Sequence, residues 1–81
     1  MNDTLLPWRA YIGADSFRSS SYERCARWLL TRLEVAQKVA LDPEYEESAI
    51  FAADQVRVHV DKGLTFSGEL SNERTYGLES V

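Results

Sequence analysis

The sequence predicts a small α+β domain in the order β-α-α-β-β-β, a mostly antiparallel sheet packed on one long amphipathic helix. Three observations carry that expectation. Residues 20–41 repeat their apolar positions at helical spacing, and residues 8–12 and 55–60 alternate with the two-residue period of a strand. Glycine and proline signals then separate the segments. Residues 1–81 form a single compact domain, since a chain of this length has no room for a second core.

In chain order, residues 1–7 are a short polar lead ending at Pro7. Trp8, Ala10 and Ile12 share one side of a short strand that Gly13 closes. Residues 15–19, with Phe17 and Arg18, form a polar loop. Next comes the long helix, with Tyr22, Ala26, Leu29, Leu33, Ala36 and Ala40 on one face, widened by Cys25 and Leu30. Arg24, Arg27, Thr31, Glu34 and Lys38 land opposite. Ser20 followed by Glu23 has the spacing of a capping box. Trp28, Val35 and Val39 make a second stripe, expected to pack as core flank, with a protein contact or a dimer contact as the other reading.

A second helix begins at Asp42-Pro43-Glu44, an N-cap, a proline at the first helical position and acids toward the positive helix end. Its end is ambiguous. Ala49, Ala52, Ala53, Val56 and Val60 would continue a helical face as far as Gly63. Residues 55–60 nevertheless alternate strictly, and β-branched valines favour extended backbone. With Asp61-Lys62-Gly63 as a hairpin loop, Val60 pairs with Leu64 and Val58 with Phe66, and the hairpin is the favoured reading. Residues 71–73 turn the chain into a weak last strand over 75–81.

Composition narrows the function classes. At 44% hydrophobic and 11% aromatic the chain is too apolar for disorder. It holds no apolar run of bilayer-spanning length, and residues 1–10 lack the basic and apolar segments of a leader, so a cytoplasmic location without membrane contact is expected. One cysteine agrees with a reducing compartment. The net charge of -4 is unevenly spread, with +2 over residues 1–41 and -6 over residues 42–81. Such a split sets up a dipolar surface.

No stretch carries a catalytic, cofactor or metal signature. His59, the single histidine, is expected in solvent on a strand face with Arg57 and Asp61, with no nucleophile nominated beside it. Cys25 sits in the apolar stripe and reads as a small hydrophobe. Together these two have no further ligand at zinc spacing, and no calcium-loop spacing accompanies the acids. The chain is therefore expected not to be an enzyme, and to need no cofactor.

Two charged groups remain. Glu44, Glu46 and Glu47, with Asp54 nearby, suit either a solvated face that complements the helix dipole or a patch for a basic partner, with Tyr45 and Trp28 as aromatic anchors. Arg18, Arg24 and Arg27 offer an alternative nucleic-acid face, though a thin one on an acidic chain.

The expected function is a small acidic protein–protein interaction module, an inhibitor or adaptor whose partner is another protein, a nucleoprotein complex included. Its sharpest version is a phage-type anti-defence protein such as an anti-CRISPR, in which carboxylates occupy a channel built for phosphate. The alternatives are direct nucleic-acid binding through the arginines and a self-assembling structural subunit through Trp28, Val35 and Val39. Monomer and homodimer are both open.

Overall fold

The computed structural model describes residues 7–71 and 74–81. Its elements are β1 (Trp8–Ile12), β2 (Asp15–Ser19), α1 (Tyr22–Val39), α2 (Pro43–Asp61), β3 (Phe66–Glu69) and β4 (Thr75–Ser80). The domain is α+β as expected, but the order is ββααββ and two long helices are present rather than one. The four strands form one antiparallel sheet in the order β2-β1-β4-β3.

Register decides which residues meet the helices. Ala10 lies opposite Phe17 on one side and Leu78 on the other, and Ile12 opposite Asp15 and Tyr76. With a two-residue period, Trp8, Ala10, Ile12, Phe17, Tyr76 and Leu78 therefore line the helix-facing side. Arg9, Tyr11, Arg18, Gly77 and Glu79 fall on the other. Ala10, Ile12, Leu78 and Tyr76 join Leu29 and Leu33 of α1 and Val56 of α2 in the buried core.

The stretch 15–19, expected as a loop, is strand β2. Gly13, at φ +61, opens a two-residue hairpin turn with Ala14, a geometry that favours glycine and matches strand twist. Its amide also donates to the Thr75 carbonyl at 2.7 Å. Only Phe17 of β2 is large and apolar, so periodicity alone was too weak to mark it.

The stretch 55–60, expected as a strand, continues α2 to Asp61. Ala49, Ala52, Ala53 and Val56 make a buried stripe of small residues that lets α2 approach α1 closely, and a strand at 55–60 would break it. Gly63 ends the helix instead of turning a hairpin. At φ +68 it donates to the Val60 carbonyl at 3.0 Å, while the Leu64 amide donates to His59 at 3.1 Å. His59 is accordingly on a helix, half-buried, with Nδ1 2.7 Å from the Gln55 carbonyl and its ring 5.3 Å from that of Phe66.

The helix starts are capped by neighbouring residues. Ser21, not Ser20, caps α1: its hydroxyl accepts from the Arg24 amide at 3.2 Å, and Ser19 Oγ accepts from the Ser21 amide at 3.0 Å. The one-residue shift arises because β2 runs through Ser19 and ties the approach to the helix. Asp42 caps α2 as expected, accepting from Glu44 at 3.1 Å, with Pro43 next. The last strand forms as Thr75–Ser80. The turn expected at 71–73 falls largely outside the described residues.

Candidate functional site

The sheet order places two contrasting surfaces at opposite edges. α1 covers β1 and β2, while α2 packs against α1 and β3. A basic, aromatic groove therefore sits on the β2 side, and the outward face of α2 sits on the β3 side.

The groove holds about 520 Å³ and is lined by Phe17, Arg24, Arg27, Trp28, Thr31 and Arg32. Phe17 stacks on Trp28 with ring centroids 5.8 Å apart and planes 15° from parallel. The Arg32 guanidinium lies 5.3 Å from the Trp28 ring centroid and pairs with Asp15 at 2.8 Å. Arg24 and Arg27 make no ion pair or side-chain hydrogen bond among the described residues. Glu23, one turn before Arg27, and Glu34, two turns after it, line a second cavity with Arg27, and Glu34 pairs with Arg57 of α2 at 3.5 Å. Arg18 does not line the groove, because strand alternation sends it to the far side of the sheet opposite Arg9.

On α2, successive residues are rotated by about 100°, so Glu44 and Glu47, three apart, lie on adjoining sides of the helix while Glu46 turns away from both. Glu47 lines up with Phe51, Asp54, Val58 and Asp61, spaced four, three, four and three apart, and all five are exposed. Phe51 is 64% exposed and Val58 50%, with Ile50 beside them at 39%. Asp54 pairs with Arg57 at 3.1 Å, while Glu47 and Asp61 have no cationic partner among the described residues.

The expected partner-binding residues thus separate. Glu47 and Asp54 share the outward stripe, with Glu44 on one flank and Glu46 turned away. Tyr45 is half-buried against the core and lines a small cleft with Ile12, Val35 and Val39. Trp28 belongs to the arginine groove. Of the second stripe on α1, only Trp28 packs as core flank; Val35 is 49% exposed and Val39 66%. Sequence reasoning did not single out Phe51 and Val58 as exposed apolar residues, although the run 47-51-54-58-61 carries a helical signal once 55–61 is read as helix.

Cys25 is fully buried, its thiol 3.8 Å from the Phe17 carbonyl, and burial pushes its pKa up. Among the described residues no group of three or more His, Cys, Asp or Glu side chains is placed to hold a metal ion. None of their helices is long and apolar enough to cross a membrane. Comparison with family models, curated proteins and solved structures finds no match to this chain.

Proposed function

We propose that the chain is a small, non-enzymatic interaction module that lays the outward face of α2 on a basic surface of another protein. The observation that carries this reading is Phe51, 64% exposed within a line of carboxylates. A phenyl ring so placed gives the fold little. Buried in a partner's pocket it contributes up to about 1.5–3 kcal/mol, and Val58 one turn away adds to it.

The charges select the partner. Glu47, Asp54 and Asp61 follow the stripe for about 21 Å, at 1.5 Å per residue. A helix of this kind fits a groove that offers one or two apolar pockets rimmed by Lys and Arg. Such grooves are the phosphate-binding channels of proteins that handle nucleic acid, where carboxylate and phosphate compete for the same cations. An inhibitor or adaptor of that machinery is the function this surface fits best, a phage-encoded anti-defence protein of the anti-CRISPR kind being its sharpest form. The cytoplasm is the compartment where such a partner is met.

The test is reversal of the stripe. Glu47→Lys with Asp54→Lys is expected to weaken capture of the partner by tenfold or more and to change the melting temperature little, since Glu47 is solvated and the Asp54–Arg57 pair is exposed and contributes at most about 1 kcal/mol. Capture unaffected by the reversal removes the stripe from the function.

A further inference from the structure

We infer that the groove beside Trp28 binds the phosphate backbone of a single-stranded nucleic acid. This is a second activity at the opposite edge of the sheet, independent of the stripe on α2. Arg24 and Arg27 occupy the first two turns of α1, where the helix dipole is positive and a cation is unfavourable. Arg9, Arg32 and Arg57 each have a carboxylate at 2.7, 2.8 and 3.1 Å, whereas Arg24 and Arg27 have none at ion-pair distance among the described residues. Arg27 shares a second cavity with Glu23 and Glu34, but neither arginine is held in a direct ion pair, so both guanidinium groups keep their donors for an anion brought to the positive end of the helix.

The occupant is a strand rather than a lone phosphate. Arg24, Arg27, Thr31 and Lys38 follow one exposed face of α1 over about 21 Å, a length that spans several nucleotides. Alongside them Phe17 and Trp28 give the groove an apolar wall, and the Asp15 pair holds Arg32 in place over the indole. Cations along a track with aromatic rings at its side suit a backbone whose bases are free to lie against them, which a duplex does not offer. The acidic stripe is on the other helix, so it does not meet the bound phosphates.

The experiment measures fluorescence anisotropy of labelled DNA and RNA single strands of about 16 nucleotides, and of the matching DNA duplex, with the full chain. The expected result is single-strand binding that weakens between about 50 and 200 mM salt, with a log–log slope near −2 for three phosphate contacts. Arg24→Gln with Arg27→Gln is expected to lower affinity at least tenfold and flatten that slope, with the circular dichroism spectrum unchanged. Phe51→Ser is expected to bind the strand as the natural chain does, so failure here and failure of the α2 reading are separable. The DNA and RNA arms show which strand is preferred. Absence of binding at the lowest salt, equal binding by the double arginine variant, or a duplex bound as tightly as the single strand overturns the inference.

Discussion

Phe17 stacks on Trp28, centroid to centroid at 5.8 Å, and that contact ties the edge strand β2 to the middle of α1. Arg32 extends the arrangement by lying over the indole while bonding Asp15 at the start of the same strand. β2 has no second neighbour in the sheet, so beyond β1 it is held from α1, by this ring pair, the Arg32–Asp15 bond and the Cys25 thiol against the Phe17 carbonyl. Phe17 and Trp28 therefore serve both as groove wall and as strand anchor.

Replacing Phe17 or Trp28 with Ala is expected to destabilise the domain by about 1–3 kcal/mol, less than for a fully buried ring because both are partly exposed. The double variant should fall short of additivity by about 0.5–1.5 kcal/mol, the coupling of an offset aromatic pair. Urea unfolding followed by circular dichroism measures both. Full additivity would show that the stacking carries no energy.

This pair also shows where sequence reasoning stops. Trp28 stood out on the helix wheel, but its partner sits in a five-residue stretch with one large apolar side chain, so nothing local marked β2. The long helix, its buried face, the Asp42-Pro43 restart and the first and last strands were legible, because each rests on period or cap chemistry within its own segment. Residues 55–60 satisfy both periods at once, since valines at 56, 58 and 60 alternate while 56 and 60 also continue the alanine stripe. Packing against α1 decided for helix, and only tertiary contact supplies that information. The same choice turned Val58 from a core-facing residue into a solvent-facing one and so created the stripe with Phe51.

Gly77 is required by close approach. A Cβ there would stand 2.6 Å from the Tyr11 hydroxyl and 2.7 Å from the Phe66 carbonyl oxygen. Gly77→Ala is expected to cost about 1–3 kcal/mol by overpacking. Tyr11→Ala in the same chain should recover only part of it, because the Phe66 contact is backbone. Complete recovery in thermal melts would place the whole strain on the tyrosine.

Alkaline pH should destabilise the fold in two stages. Burial raises the Cys25 pKa above its ordinary 9.0, and those of Tyr22 and Tyr76 above 10.0. The folded state thus holds protons that the unfolded chain releases, so stability is full below about pH 9 and falls as pH rises through and beyond these values. Cys25→Ala should remove the onset near pH 9 and leave the loss above pH 10. Urea midpoints across that range test it, and an unchanged onset would contradict the assignment.

Val35 and Val39 on α1 and Leu41 just after it are exposed, and a stable symmetric interface needs roughly 800 Å² per partner. The chain is expected to sediment at its monomer mass of 9.2 kDa across a micromolar dilution series. A doubled mass abolished by Val39→Asp would instead establish a symmetric helix contact and the self-assembling reading.

The most direct test of the α2 surface is nuclease-treated affinity capture from a host lysate, with the natural chain and a Phe51→Ser, Val58→Ser variant run side by side and quantified by mass spectrometry. Both side chains are solvent-facing, so the variant should fold. The expected result is a discrete protein, rich in phosphate-binding surface, that survives nuclease with the natural chain and drops at least tenfold with the variant. Equal recovery of that protein by both chains would contradict the assignment of α2 as the docking face.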